Sequence, residues 1–272
     1  MVFTFALGNV FAQEEKGRER KDFSEILPQS GDIALGLDLA NFIKTINNSV
    51  TNPTTGPTVK AFQSDFFAKY FVSNKGAIRA RLGILINNYT DREFVRDDNA
   101  YFLNPISQGN PLLEKLTVDV YKSRFTNLEL GIGYEFRRSL WRVQGYVGME
   151  VFGGMTLARE RLEYGNPMTK ENQNPSIGYS DTLKGYRMLE SKSNGFTCGA
   201  AAFIGADLFL CRNVSIGAEF YFEGRYNHWG ERVAKSETWL LEQAYVAEEY
   251  LKPITSSFKL TPMGRLNLMI YF

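Results

Sequence analysis

What this chain has little of narrows its reading quickly. In 272 residues there is one histidine, two cysteines and nine prolines. A single histidine and two cysteines leave no set of metal ligands at the usual spacings. Nor is there a glycine-rich phosphate loop. The 31 basic and 30 acidic side chains nearly cancel, so no basic footprint for nucleic acid exists. No run of about 18 apolar residues occurs, which excludes a transmembrane helix. It does not exclude a membrane-spanning barrel, whose apolar residues come at every second position. Cys198 and Cys211 fall on one expected strand, thirteen residues and about 43 Å apart at 3.3 Å per residue. A disulfide tolerates about 7 Å between Cα atoms, so these two are not expected to pair.

What is present is aromatic, glycine-rich and alternating. Leu266, Leu268, Ile270 and Phe272 share one face of a final strand, with Asn267, Met269 and Tyr271 on the other. The same period of two runs through Ile33–Ala40, Ile78–Ile86, Leu128–Phe136, Trp141–Val151, Ala202–Leu210 and Val214–Glu223. With a strand over about 65–72 this makes eight strands. Arg137–Leu140, Ser73–Gly76 and Cys211–Asn213 read as tight turns. Polar loops are expected at Asn52–Pro57, over about Tyr89–Glu114, over Met155–Asn194 and from strand seven to about Thr255. Long connections therefore follow strands one, three, five and seven, and short turns follow two, four and six. An all-β, eight-stranded antiparallel up-and-down transmembrane barrel has that rhythm. Pro262 inside the last strand suggests a bulge or a position that donates no hydrogen bond.

A soluble lipocalin-like barrel alternates too, with its apolar face inward. Here the second face carries Asp38, Arg79, Arg81, Glu129, Glu135, Glu150, Asp207, Glu219, Glu223 and Arg265 among glycines and tyrosines. Lysine or arginine facing lipid costs about 2–4 kcal/mol at the midplane, so these groups must face water or one another. An eight-stranded lumen is just filled by side chains. Arg79, Arg81 and Arg265 are expected to pair there with Glu129, Glu150 or Glu219, with Asp38 and Asp207 in the same charge network, leaving no general diffusion pore. Trp141, Tyr134, Phe136 and Phe272 fit an interfacial aromatic girdle.

The stretches Asn127–Phe136, Gly145–Glu150 and Ser215–Phe222, together with the terminal strand, resemble the small eight-stranded outer-membrane barrels that include the OmpA transmembrane domain and OmpX. The style resembles barrels of Bacteroidota. Phe272, an aromatic carboxy-terminus, is similar to the assembly signal of such proteins. The resemblance implies residence in the outer membrane of a Gram-negative bacterium, with both termini periplasmic and long loops outside. It also implies contact with outer-membrane lipid and passage through the barrel assembly machinery. It extends over 32–272 and does not include a peptidoglycan-binding domain. Residues 1–12 read as a signal peptide without a basic start, ending at Val10-Phe11-Ala12, and 13–31 as a periplasmic lead-in. Asp181-Thr182-Leu183 resembles a short O-glycosylation pattern.

No cofactor is expected, and the activity expected is non-enzymatic: a structural or interaction subunit, with an outer-membrane protein as candidate partner. A narrow porin-like channel is the alternative. A third reading is a lipid A-modifying hydrolase using His228, with Ser256 or Ser257 as nucleophile and Glu223 or Glu231 orienting the ring. The fourth outer loop is expected to hold a helix, capped by Ser236 and running over Glu237–Leu251 to Lys252-Pro253. Its stripe of Leu240, Leu241, Ala244, Tyr245, Ala247 and Leu251, with Trp239 in the same loop, makes a candidate docking element for a partner protein or the outer leaflet.

Overall fold

The structure, a computed structural model, describes residues 26–50, 61–103, 114–179 and 186–272. The signal peptide, most of the lead-in, the Asn52–Pro57 loop and Asp181-Thr182-Leu183 lie outside the described residues. In chain order the elements are β1 (Ile33–Asp38), α1 (Leu39–Val50), β2 (Ala61–Ser73), β3 (Gly76–Arg96) and α2 (Asp98–Leu103). There follow β4 (Leu116–Leu140), β5 (Val143–Glu163), β6 (Tyr186–Cys211), β7 (Val214–Trp229), β8 (Arg232–Leu240), β9 (Gln243–Lys252) and β10 (Thr255–Tyr271).

Eight of these strands form a closed antiparallel ring. Each of β1 to β7 pairs with its sequence neighbour, and β10 pairs with β7 on one side and β1 on the other. Closure leaves the branched and aromatic row outside: Leu130, Ile132, Val147, Met149, Val151, Ile204 and Phe220 are all more than half exposed. The charged row is inside, the inverse of a lipocalin. Two-residue turns, Asn74-Lys75, Trp141-Arg142 and Arg212-Asn213, join strands at one end, ringed by exposed Tyr134, Phe136, Trp141 and Phe272. The long connections all lie at the other end.

Several expected boundaries move. β3 and β4 stay in register from Tyr89↔Ser123 to Arg96↔Leu116, where a polar loop was expected. β5 likewise extends to Glu163, and β6 starts at Tyr186, which shrinks the loop expected at Met155–Asn194. Beyond the apolar belt both faces of a strand meet water. Alternation in polarity then disappears although backbone pairing continues. At the other end Arg137–Leu140 belong to β4, and the turn is made by Trp141 and Arg142, with Trp141 at φ 58°.

Two elements differ in kind. The expected first strand stops at Asp38, and Leu39 opens a helix instead of continuing the alternation. Both Asp38 carboxylate oxygens accept hydrogen bonds from the first turn, the amides of Ala40 (3.0 Å) and Asn41 (3.3 Å) and the Asn41 side chain (2.7 Å). That is an aspartate N-cap. The helix expected over Glu237–Leu251 is instead the hairpin β8–β9. Val233, Thr238, Trp239, Tyr245, Val246 and Tyr250 are strand formers. The top of β6 offers β8 an edge, from Tyr186↔Thr238 to Lys192↔Val233. Pairing with an available edge outweighs the helical spacing of a few leucines.

Candidate functional site

The barrel interior is the most densely built part of the molecule. Its floor is an aromatic cluster of Phe67, Phe71, Phe209, Met269 and Tyr271, with Ile26 and Leu27 packed against it. Above this, cations and carboxylates interleave. Lys69 Nζ lies 3.1 Å from Glu135 Oε1 and 3.8 Å from Asp207 Oδ2. Arg137 donates to Asp207 Oδ2 (2.6 Å) and Glu135 Oε1 (3.3 Å). Arg79 holds Glu219 with both terminal nitrogens, Nη2 to Oε1 at 3.1 Å, and its Nε lies 3.5 Å from Glu150. Arg81 donates from Nε to Glu150 Oε1 (2.6 Å) and from Nη1 to Glu129 Oε2 (3.5 Å). Arg225 binds Glu129 and Glu223, and Arg265 spans Asp65 (3.0 Å) and Glu219 (3.5 Å).

Aromatic rings fill the spaces between the ions. The Arg79 guanidinium carbon sits 4.5 Å from the centroids of both Phe67 and Phe203. Arg265 lies 3.9 Å over Tyr221, and Arg137 is flanked by Phe71 and Tyr146. Desolvated cation–π contacts of this kind contribute about 2 kcal/mol each. Tyr146 and Tyr221 donate to Glu219 (3.2 Å) and Glu150 (3.1 Å). Glycines on the facing strands make the room: a Cβ at Gly131 or Gly217 would collide with the carboxylates of Glu150 or Asp207.

Of the residues singled out from sequence, Arg79, Arg81, Glu129, Glu150, Asp207, Glu219 and Arg265 are all buried and all ion-paired here. Asp38 is buried too, but serves as the helix cap. Glu135 and Glu223, read on the same charged face, belong to the set as well, and Lys69, Asp65, Arg137 and Arg225 join it without having been singled out. Lys69 was readable, since it falls at the inward position between Phe67 and Phe71. Arg137 was assigned to a turn, although the period of two continues through it from Glu135.

At the opposite end, away from the girdle, a clasp of neutral and charged groups joins the outer elements. Asp98 Oδ1 accepts from the Ser176 hydroxyl (2.7 Å) and Arg96 (3.2 Å); Oδ2 accepts from the Ser176 amide (2.6 Å) and Asn172 (2.8 Å). Burial pushes the Asp98 carboxyl up, but these donors outweigh it and hold it below the ordinary carboxylate range. Asn166 bridges the carbonyls of Arg96 (2.8 Å) and Ser176 (2.9 Å), and Arg187 ties the loop to Glu237 of β8 (2.8 Å). Burial pushes the Tyr164 hydroxyl up to about 12, and it donates to the Met188 carbonyl (2.7 Å).

His228 sits near the top of the outer face. Its Nδ1 is 3.1 Å from Ser256 Oγ, which also accepts from Tyr226, and its ring lies 4.8 Å from that of Phe196. Glu223 faces the lumen, bound to Arg225, on the other side of the sheet from that pair. It cannot orient the imidazole. Among the described residues His228 has no carboxylate partner, and no group of His, Cys, Asp or Glu could hold a metal ion. Cys198 and Cys211 are free and exposed. The residues expected to form a docking element lie on the hairpin. Leu240, Leu241, Tyr245 and Leu251 are exposed, and Leu241 at its tip is 94% exposed.

No protein-family model and no curated protein matches this sequence. Among solved structures, the crystal structure of the outer membrane protein OprG from Pseudomonas aeruginosa is similar, with 8% identity and a TM-score of 0.33. The likeness covers 90% of this chain and 98% of that one.

Proposed function

We propose that this protein is an integral outer-membrane barrel with a sealed lumen, acting without catalysis as a structural or docking subunit. The observation that carries the reading is the sorting of the two strand faces. The outward row is apolar around the ring, while the inward row carries six cations against seven carboxylates, Asp65, Glu129, Glu135, Glu150, Asp207, Glu219 and Glu223. In water the outer row has no use. In lipid it is the required solvent-facing surface, and pairing around the ring satisfies the strand backbones there except along the upper part of β10, beside α1. The short turns and the aromatic girdle then mark the periplasmic side, with both described ends of the chain beside them. The long connections and the β8–β9 hairpin lie outside the cell.

An interior of near-neutral, ion-paired groups with an aromatic floor supports a lumen plugged along its axis. We therefore assign the protein no pore function. The hairpin carries exposed Leu240, Leu241 and Tyr245, and among the described residues β9 pairs with β8 alone. It supports docking to another outer-membrane protein. Refolding into detergent and running the product boiled and unboiled tests the barrel. Heat-dependent mobility and insertion into vesicles are expected; solubility without detergent overturns the reading. Steady single-channel conductance in a planar bilayer overturns the sealed lumen. Replacing Val233–Leu251 with a short linker should leave insertion intact and remove a stoichiometric partner from native membranes.

A further inference from the structure

The ring is one strand short over half its height. β1 is six residues long and pairs with Asn267–Tyr271 of β10 and Phe66–Tyr70 of β2. Beyond Asp38 the chain departs as α1. β10 continues for another twelve residues, Thr255–Leu266, paired with β7 on one side and, among the described residues, with no strand on the other. Phe272 exchanges backbone hydrogen bonds with Ile33, while the Tyr271 amide turns to Asn213. In an unbroken antiparallel register that direction alternates. The even-numbered residues from Ser256 to Gly264 therefore aim their peptide groups into the breach. Pro262 falls in that series, where it has no amide to leave unbonded.

α1 stands in the breach. Its Ile43 and Ile46 are exposed on the outside, and Asn41 and Lys44 line the inside. The Thr45 hydroxyl accepts from the Gln63 amide (3.2 Å) and lies 3.2 Å from the Gln63 carbonyl, in place of a strand partner for the edge of β2. Behind the helix is a cavity of about 420 Å³, lined on the lumen side by Asp65, Arg81, Glu129 and Arg225 and on the β10 side by Met263, Gly264 and Arg265. Its acids, among them Asp38 at the cap of α1, are already engaged. Glu129 is held by Arg225 and Arg81, and Asp65 lies between Arg81 (3.7 Å) and Arg265 (3.0 Å). Its cations are not fully engaged. Arg81 Nη2 has no hydrogen-bond acceptor, and Arg265 Nη1 has only the 3.5 Å ion pair to Glu219, although the residues are 3% and 7% exposed. A buried guanidinium N–H left unbonded is costly and calls for an acceptor.

We infer that this lateral cleft binds one amphiphile with an anionic oxyacid headgroup: the headgroup accepts from Arg81 and Arg265, and the chain leaves past Gly264 between α1 and β10 into the outer leaflet. Two guanidinium groups lining one cavity suit a phosphate or carboxylate, which accepts charge-assisted bonds at two oxygens. The tail direction follows from the breach, whose outer lip is Leu260, Pro262 and Ile43, all exposed. A Cβ at Gly264 meets nothing within 4 Å, so the lip is open there.

The inference rests on the membrane reading, and the test separates the two. Barrel formation is first checked by heat-dependent mobility in a neutral detergent; its absence removes the membrane reading itself. On folded protein, dodecyl phosphate, inorganic phosphate and dodecanol are titrated separately, and bound probe is counted by native mass spectrometry. One dodecyl phosphate per barrel is expected, binding about tenfold or more tightly than either fragment. Gly264→Leu fills open space without touching the ion network and should weaken it about tenfold; Arg265→Gln should do the same. Equal affinity for inorganic phosphate would mean an ion site without a lipid exit. Equal affinity for dodecanol would mean no headgroup recognition. Either result, or unchanged binding in a folded Gly264→Leu variant, overturns the proposal.

Discussion

Arg79 and Glu219 give the sharpest test of the interior, because the structure predicts unequal costs for removing each. Both are buried, and they share a two-pronged ion pair. Removing one partner of a buried pair costs about 3–5 kcal/mol, because the other is left charged and out of water. Arg79→Met leaves Glu219 with Arg265 at 3.5 Å and Tyr146 at 3.2 Å, and Glu150 with Arg81 at 2.6 Å. Its cost should fall at the lower end, about 3 kcal/mol. Glu219→Gln instead leaves Arg79, enclosed between Phe67 and Phe203, with Glu150 at 3.5 Å as its remaining carboxylate. That cost should be nearer 5 kcal/mol. The double variant removes both charges and should recover to within about 2 kcal/mol of the parent, since a neutral pair of similar volume is often tolerated. Urea unfolding in short-chain lipid vesicles, followed by tryptophan fluorescence and by heat-dependent mobility, measures all three. Single variants each within about 1 kcal/mol of the parent, with additive effects, would mean that water already solvates these groups and the lumen is open.

Three further outcomes follow from other parts of the molecule. Ile204→Arg, mid-belt on the outer face, should cost about 2–4 kcal/mol in vesicles, whereas Leu140→Arg beside the girdle should cost about 0–1 kcal/mol; equal, negligible costs would place that face in water. The Asp98 carboxyl is depressed in the folded state, so its contribution is complete above the unfolded value of about 3.9 and is lost as pH falls through the folded one. Proteolysis within Gly165–Tyr179 should therefore accelerate below about pH 4, and Asp98→Ala should loosen the same loop at neutral pH by about 1–3 kcal/mol. At the hairpin tip Leu241 (φ 49°) and Glu242 (φ 65°) occupy left-handed backbone that favours Asn-Gly in a two-residue turn. Leu241→Asn with Glu242→Gly should stabilise the hairpin by about 1–2 kcal/mol, read as slower amide exchange across β8 and β9.

The parts of this fold that could be read from sequence are those where two solvents differ. Along Ile78-Arg79-Ala80-Arg81-Leu82 one face is outward and apolar and the other meets carboxylates, so composition alternates with the pleat. The ring of eight and the sorting of its faces follow from that. Past Tyr89 the same strand has water on both sides, and its residues carry no record of the pairing that continues to Arg96. Glu237–Leu251 misled for a related reason. A hairpin exposed on both faces has no apolar stripe, so its leucines and alanines fit a helix as well as a strand until β6 supplies an edge. The switch at Asp38 was visible only locally. An aspartate followed by Leu39-Ala40-Asn41 is a helix start, but Leu35, Leu37 and Leu39 continue the alternation across it. Arg225 and Lys69 were passed over because each sits among aromatics on a strand read for its apolar face.

The substitution of α1 for the upper part of β1 ties the closed interior to the open cleft. A full-length β1 would have paired the even-numbered residues of β10 up to Ser256 and placed inward side chains against Arg81 and Arg265. In its place the chain supplies a helix cap at Asp38 and a helix whose backbone bonds are internal, so α1 can border lipid without a partner strand. Its backbone carbonyls are taken up internally, and Asn41 and Lys44, which line that space, bring one amide and one further cation. Arg81 and Arg265 keep two or more carboxylate neighbours each, as Lys69, Arg79 and Arg137 do deeper in the lumen where all eight strands pass. What changes where the eighth strand ends is therefore the neighbour on the open side: a cavity and a helix take the place of a strand, and Arg81 and Arg265 stand on that cavity's wall.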